Sequence, residues 1–147
     1  MPMTDDHIHD LFRRHGLRAT RQRERIYAAL HASSSHPSAD ELLAAVRESD
    51  PGLSLATVYN TLDVLWEAGL CRRLNPVGGG PSRYDADLSN HAHVAMPDGR
   101  FMDLPEDLSR RLADRLGADL VAEVEHRMGI RVESVNLHLI ARMPEQP

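Results

Sequence analysis

Two histidines and two aspartates lie close together in one short stretch of the sequence. His91 and His93 are separated by one residue, and they stand between Asp85 and Asp103. Because strand side chains alternate between faces, a strand through both histidines directs the two imidazoles to the same side. Imidazole nitrogens and carboxylate oxygens are common metal ligands. The stretch therefore predicts half of a metal site, and a solvated hairpin whose histidines bind nothing is the alternative.

The turn after these histidines decides which side chain lies opposite His93. A two-residue turn at Asp98-Gly99 places Met102 on the imidazole face, because a shift of one residue exchanges the faces of a strand. A three-residue loop, Pro97-Asp98-Gly99, uses proline to fix φ and glycine in the left-handed position. That loop pairs His93 with Asp103. We predict the three-residue loop.

Four helices are predicted before this stretch, and the fourth has the clearest pattern. The first spans residues 5–15, Thr20 caps the second, and Ser38 opens the third with a capping box. The fourth begins after Ser54. Its apolar stripe consists of Leu55, Val58, Leu62 and Leu65. Two strands follow, near residues 70–74 and 83–85, so the pattern is typical of a winged helix-turn-helix.

The other face of the fourth helix carries short and mostly polar side chains, and six arginines lie between Arg13 and Arg25. A recognition helix in the major groove needs exposed hydrogen-bonding groups, while nearby arginines neutralise phosphates. We predict that Arg18 and Arg21 contact the DNA backbone or minor groove. The residues predicted to face the major groove are Thr57, Tyr59, Asn60 and Thr61. A helical module that uses this face for a protein partner is the alternative.

The sequence from Pro105 onward predicts helix followed by a strand. Leucines and valines recur at helical spacing from Pro105 to Met128, with a predicted break at Gly117. A final strand is predicted over residues 130–143, where apolar side chains alternate. Together with the hairpin these elements make a small unit with too little apolar surface to be stable alone, so we predict pairing with a second copy.

The predicted fold class is α+β. Residues 1–85 are predicted to form a winged helix-turn-helix DNA-binding domain. Residues 86–147 are predicted to form a small α/β dimerisation and metal-binding domain.

Composition limits the function further. The chain of 147 residues has 17 basic residues, all arginine, against 22 acidic ones, which argues against bulk attraction to nucleic acid but allows a local basic patch. It has no apolar run of membrane-spanning length and no signal pattern, so we expect a cytoplasmic protein with no membrane partner. The single cysteine, Cys71, excludes an internal disulfide and a multi-thiolate zinc site within one chain.

Several motifs resemble the ferric uptake regulator family over roughly residues 10–142. The matching stretches are residues 15–23, 36–42, 55–62, 67–70, 83–85 and 91–93. The resemblance implies a homodimeric, metal-dependent transcriptional repressor rather than an enzyme. The implied partner is a double-stranded DNA operator, expected to be an AT-rich palindrome.

The resemblance also implies one regulatory metal, bound by His36, Asp85, His91, His93 and Asp103. These ligands suit Fe(II) or Mn(II), and Zn(II) is expected to substitute in vitro. Aspartates at two of these positions resemble the peroxide-sensing branch, in which iron-bound histidines are oxidised. An iron or manganese uptake regulator without peroxide sensing is the alternative. A mononuclear metal enzyme ranks lower, because the sequence shows no second apolar domain for a substrate pocket.

Two further metal sites of the family are expected to be absent here. The four-cysteine structural zinc lacks its first cysteine pair around Met96 and its second pair, with Met143 at one of those positions. An auxiliary site lacks ligands at Asn90, Ala92 and Val135. We therefore predict no structural zinc and a dimer that depends on strand pairing and apolar contact.

Overall fold

The structure, a computed structural model, describes residues 2–145. Within that range the helices are α1 (Asp5–Arg14), α2 (Arg21–Ala32), α3 (Ala39–Arg47), α4 (Leu55–Glu67), α5 (Glu106–Leu116) and α6 (Ala118–Met128). The strands are β1 (Arg72–Leu74), β2 (Arg83–Asp85), β3 (His93–Ala95), β4 (Phe101–Asp103) and β5 (His138–Ile140). The fold is α+β, as predicted. No helix in residues 2–145 has both the length and the apolar character needed to cross a membrane.

Side-chain caps fix where three of the helices begin. The Thr20 hydroxyl accepts an N–H from the first turn of α2, at 3.3 Å. Ser38 and Glu41 form a reciprocal capping box at the start of α3. The Ser54 hydroxyl accepts the N–H of Thr57 at 3.2 Å and opens α4. Each bond satisfies a backbone donor that the first turn leaves without an intrahelical partner, and the three predicted caps are confirmed.

The described residues form two compact units. The first contains the chain up to Leu88 together with Asp98–Phe101, and the second contains Ser89–Pro97 together with the chain from Met102 onward. In the first unit, α1 to α4 enclose one hydrophobic core. Its most deeply buried apolar side chains are Ile8, Phe12, Ile26, Leu30, Leu42, Leu53, Val58, Leu62 and Leu65. The domain boundary after residue 85 stays a prediction.

An antiparallel hairpin of β1 and β2 follows α4, with Arg73 opposite Tyr84. The guanidinium of Arg73 lies 2.5 Å from Oδ1 of Asp63 and 4.3 Å from the ring centroid of Trp66, both on α4. An ion pair and a cation–π contact therefore attach this hairpin to the fourth helix. Tyr84 is buried in the core. Helices with a hairpin attached in this way form the predicted winged helix-turn-helix.

The second unit combines two helices with a three-stranded sheet of order β4-β3-β5. Strands β3 and β5 run parallel, with His93 opposite His138. Gly117 separates α5 from α6 and has a φ of 56°, a value that glycine adopts more readily than other residues. The predicted helix break at this glycine is confirmed.

The last strand is shorter than the one predicted over residues 130–143. A strand requires a partner for its backbone groups, and residues 137–141 have that partner in β3. The N–H of His93 donates to the carbonyl of Leu137 at 3.0 Å, and the N–H of Ala141 donates to that of Ala95 at 2.9 Å. Earlier in the segment, the N–H of Val132 instead donates to the Glu125 carboxylate at 2.8 Å. The alternation of apolar residues over 130–143 did not show at which residue the pairing with β3 begins.

Apolar side chains lie on the surface of the second unit. No residue of α6, all of which is described, is buried. The exposed apolar residues of this unit include Leu120, Val124, Met128, Ile130, Val135, Leu139 and Ile140. An apolar surface of this kind is typical of a protein interface.

Candidate functional site

His36 lies between α2 and α3 with its backbone in the left-handed region. Its φ is 51°, and among the described residues it is the one non-glycine residue with a positive φ. The next residue is Pro37, whose carbonyl accepts the N–H of Tyr84 at 3.0 Å. A backbone conformation of this kind costs about 1–3 kcal/mol and persists only where the surroundings hold it. The contacts around this loop therefore keep His36 in place.

The ring of His36 lies between a carbonyl and a carboxylate. Its Nδ1 is 3.1 Å from the carbonyl oxygen of Phe101, and its Nε2 is 3.4 Å from Oδ2 of Asp85. Both side chains are more than nine-tenths buried. A carbonyl oxygen only accepts, so Nδ1 donates to it and Nε2 is the ring nitrogen that faces the carboxylate. Two buried ligand atoms facing each other suit a cation between them, either a proton or a metal ion.

His91, His93 and Asp103 come together in the second unit. The Nε2 atoms of His91 and His93 lie 3.3 and 3.4 Å from Oδ1 of Asp103. Nδ1 of His91 is 2.7 Å from the carbonyl oxygen of Ser89, so Nδ1 donates to that oxygen and Nε2 faces the carboxylate. His93 begins β3 whereas His91 precedes it, so the rings converge although one lies outside the strand. This donor set is chemically suited to a divalent transition metal.

Main-chain hydrogen bonds fix the histidine pair through the residue between them. The N–H of Ala92 donates to the buried hydroxyl of Ser109 at 3.1 Å, and its carbonyl accepts the N–H of Leu104 at 2.9 Å. In an antiparallel ladder, the second bond sets the register that places His93 opposite Asp103. The predicted three-residue loop is confirmed by that register.

His138, which the sequence analysis did not assign to the site, lies beside this group. Its ring centroid is 5.5 Å from that of His93. Burial lowers the pKa of His138, and the charge of His93 lowers it further. The parallel register of β3 and β5 brings the two rings together. The one sequence signal was the position of His138 in the predicted last strand.

Each unit brings some of the predicted ligands together. His36 and Asp85 meet in the first unit, and His91, His93 and Asp103 meet in the second. Each unit assembles its own group. Binding of one ion by all five residues stays a prediction.

Four of the predicted DNA-contacting residues lie at the surface. Tyr59 is 40% exposed, and Asn60 is also exposed on the outer face of α4. Arg18 and Arg21 are exposed around the start of α2, while Thr57 is half-buried. These side chains are available to a ligand that approaches the outer face of α4.

The prediction that Thr61 faces DNA does not fit the burial of its side chain. Its side chain is only 1% exposed. Thr61 lies one helical turn from both Val58 and Leu65, which are core residues, and this spacing places it on the buried stripe. Its polar hydroxyl suggested the outer face, but the packing of α4 decided otherwise.

Arg23 is a residue that the sequence interpretation left out of the interface. It lines a cavity of about 330 Å³ between the start of α2 and the outer face of α4. Thr57 and Asn60 line the same cavity. Nη1 of Arg23 donates to the carbonyl of Arg18 at 3.2 Å. The arginine run was the signal, but only the tertiary structure shows which arginine lines this cavity.

Cys71 is a packing residue in the first unit. Its side chain is buried, and burial raises the pKa of its thiol to about 12. Metal binding and nucleophilic chemistry both use the thiolate form. The single cysteine is therefore unsuited to either role in the folded chain.

Comparison with known proteins indicates one family. Residues 14–131 match the model of the ferric uptake regulator family. The chain is similar to the peroxide-responsive repressor PerR of Staphylococcus saprophyticus, with 43% identity over 82 residues that cover 56% of this chain and 55% of that protein. It is also similar to the ferric uptake regulation protein of Brucella abortus, with 33% identity over 127 residues that cover 85% of this chain and 89% of that protein. The chain thus matches about half the length of the first relative and most of the second.

This chain is also similar to a solved structure of a ferric uptake regulator. The ferric uptake regulator from Pseudomonas aeruginosa with manganese is 28% identical, and the match covers 97% of this chain and all of that chain with a TM-score of 0.75. Relatives named for iron uptake and for peroxide response both occur.

Proposed function

The chain belongs to the ferric uptake regulator family, whose members are metal-dependent DNA-binding transcription regulators rather than enzymes, and we propose that it is a repressor whose DNA binding requires a divalent metal. The observation that carries this proposal is the orientation of the histidines. His36 and His91 each donate an Nδ1 proton to a backbone carbonyl and direct Nε2 at an aspartate. This is the usual arrangement of metal-binding histidines.

We propose that one ion is bound by two residues of the first unit and three of the second. These residues are His36, Asp85, His91, His93 and Asp103. Imidazole nitrogens and carboxylates together suit Fe(II) or Mn(II), and Zn(II) can substitute in vitro because of its higher intrinsic affinity. No structural zinc is part of this proposal.

Regulation follows from the distribution of the ligands along the chain. Ligands from both units can bind one ion only in a limited range of relative orientations of these units. Metal therefore shifts the equilibrium toward that range by its better binding there. In the proposal, this is the state that binds DNA.

The proposed DNA contacts come from α4 and the start of α2. Thr57, Tyr59 and Asn60 face the major groove, while Arg18 and Arg21 contact the backbone or minor groove. The operator is an AT-rich palindrome, since a two-fold symmetric dimer matches a palindromic site. The exposed apolar residues of the second unit support the homodimer. DNA as the partner is consistent with a cytoplasmic location.

The proposed signal is peroxide. Support comes from the aspartates at positions 85 and 103 and from the similarity to a peroxide-responsive repressor. Bound Fe(II) supplies the redox chemistry that activates peroxide. In the net reaction one oxygen atom of hydrogen peroxide is transferred to the ring of His36 or His91, and the remainder leaves as water. Regulation by iron or manganese supply without peroxide sensing is the competing proposal, supported by the similarity to a ferric uptake regulation protein.

The experiment that tests the proposed function measures DNA binding with and without metal. Protein purified without an affinity tag is analysed for metal content, depleted with a chelator and titrated onto a labelled AT-rich palindrome. We expect binding with Mn(II), little binding without it, and loss of the Mn(II) effect in His91→Ala. Equal affinity of the metal-free and Mn(II)-loaded protein for the palindrome would contradict metal-dependent repression.

A further inference from the structure

Two side chains on one face of β2 contact different parts of His36, one its ring and the other its main-chain carbonyl. Arg83 and Asp85 are two residues apart in the strand, so they project from the same face. Oδ2 of Asp85 lies 3.4 Å from Nε2 of the His36 ring. Nη1 of Arg83 donates to the main-chain carbonyl of His36 at 3.4 Å. The strand thus contacts both the ring and the backbone of His36.

Arg83 is in turn held by Glu41. Nη1 of Arg83 lies 3.1 Å from both carboxylate oxygens of Glu41. The Arg83 side chain is only 12% exposed, which limits competition from water. Glu41 also closes the capping box of α3, where it accepts the N–H of Ser38 at 3.3 Å. The first turn of α3, the Arg83 guanidinium and the His36 carbonyl therefore form one connected set of hydrogen bonds.

The backbone of His36 needs such contacts. Its positive φ is unfavourable for a residue with a side chain, and the following Pro37 restricts its backbone further. Relaxation to a negative φ would turn the ring away from Asp85. Around this point Ser38 forms a β-bridge with Arg83, and the N–H of Tyr84 donates to the Pro37 carbonyl. The Arg83 side chain reaches the His36 carbonyl itself.

We propose that Arg83, oriented by Glu41, is a positioning residue for metal binding. It holds His36 in the strained conformation that directs Nε2 toward Asp85. Arg83 has no ligand atom for a metal and acts only through His36. The inference rests on the proposed function, because it requires His36 to be a metal ligand. Loss of a residue that orients a ligating histidine weakens metal binding by about 10- to 100-fold.

The test is a double-mutant cycle on the full-length chain, with Mn(II) alone as the probe and free Mn(II) measured by electron paramagnetic resonance. We expect Arg83→Met to weaken Mn(II) binding by about tenfold or more. His36→Ala should weaken it at least as much. In the His36→Ala background, Arg83→Met should have no further effect, because the residue through which it acts is gone. Arg83→Lys, which keeps a charged donor, should recover part of the affinity.

Arg25→Met is the matched control within the first unit. Arg25 also pairs with an acid, Asp50, and its Nη1 donates to the main-chain carbonyl of Ser49 at 3.5 Å. Its replacement should leave Mn(II) affinity unchanged. Glu41→Gln keeps a side chain able to cap α3 but removes the charge that orients Arg83. It should weaken Mn(II) binding in the same direction, and it replaces Arg83→Met if circular dichroism shows that the latter does not fold.

The outcomes separate this inference from the proposed function. If His36→Ala weakens Mn(II) binding but Arg83→Met and Glu41→Gln do not, the inference is overturned and the ligand set stands. If the effects of His36→Ala and Arg83→Met add, Arg83 acts by another route and the inference is again overturned. If His36→Ala binds Mn(II) like the unchanged protein, the ligand set is wrong and the inference fails with it.

Discussion

Oδ1 of Asp103 lies 3.3 Å from Nε2 of His91. The same oxygen lies 3.4 Å from Nε2 of His93, so one carboxylate serves both imidazoles of the second unit. Because Nδ1 of His91 donates to a backbone carbonyl, Nε2 is the ring nitrogen that faces this carboxylate. The negative charge of Asp103 therefore contributes to the affinity of this group for a cation.

Asp103→Asn tests that contribution. The amide keeps the size of the side chain but removes its charge, so we expect Mn(II) binding to weaken by about tenfold or more. Isothermal titration with Mn(II) gives the affinity. Asp107→Asn, at an exposed position in the first turn of α5, is the control and should bind like the unchanged protein. Unaltered affinity in Asp103→Asn would exclude Asp103 as a ligand.

Asn60→Ala and Arg21→Ala should affect DNA binding in different ways. A base contact carries sequence information, so loss of Asn60 should change which operator bases are preferred. A phosphate contact carries no sequence information, so loss of Arg21 should weaken binding to all DNA sequences alike. It should also lower the slope of log affinity against log salt concentration by about one. Fluorescence anisotropy at several salt concentrations with saturating Mn(II) measures both effects.

Thr61→Val is the control for this experiment. It replaces a buried side chain by one of similar shape and should leave operator affinity and preference unchanged. If Asn60→Ala also changed neither quantity, α4 would not be the recognition helix.

Ile140→Arg should convert the proposed dimer into monomers. Ile140 is 68% exposed on β5, and an arginine buried there in an interface would lack a partner for its charge. Sedimentation velocity before and after chelation gives the assembly state. We expect the unchanged protein to remain dimeric without metal, and Val77→Arg, in an equally exposed position between β1 and β2, to do the same.

Zinc analysis tests the related prediction that the dimer does not depend on a structural zinc. Only one cysteine is present, so zinc held by four cysteines of one chain is excluded. Zinc present at one per chain and resistant to a chelator, or monomers after its removal, would show that the dimer depends on a structural metal after all.

Mild peroxide should modify the iron-loaded protein at His36 or His91. Peptide mass spectrometry should show one added oxygen atom, together with release of DNA. The Mn(II)-loaded protein should stay unmodified and DNA-bound, because Mn(II) reacts much less readily with peroxide. Release of DNA without histidine modification would contradict the oxidation mechanism. Full retention of DNA by the iron-loaded protein would favour a plain iron or manganese sensor.

Cys71 should not react with iodoacetamide at pH 8 while the protein is folded. The raised pKa of its thiol, about 12, keeps it protonated at that pH, and its burial blocks access. In denaturant the thiol returns to its ordinary pKa and should react readily. Intact-mass measurement over time follows both reactions, and rapid labelling of the folded chain would refute the assignment of Cys71 to the core.

Short-range patterns in the sequence were sufficient for much of this fold. The hydroxyls of Thr20, Ser38 and Ser54 cap nearby N–H groups, so residues a few positions apart determine these helix starts. The three-residue loop at Pro97-Asp98-Gly99 depends equally on local backbone preferences. That loop places Asp103 opposite His93, which is why the proximity of these two side chains could be predicted.

Tertiary structure decided the features that depend on residues distant in sequence. Thr61 is buried because neighbouring elements cover that side of α4, and β5 is short because β3 pairs with only part of the final segment. His36 keeps a positive φ because side chains of β2 contact both its ring and its carbonyl. No local pattern contains this information, since a strained backbone is stable only when contacts made elsewhere in the chain offset its cost. The sequence thus determined the residue types available for a metal site, and the packing of the chain determined how each residue is held.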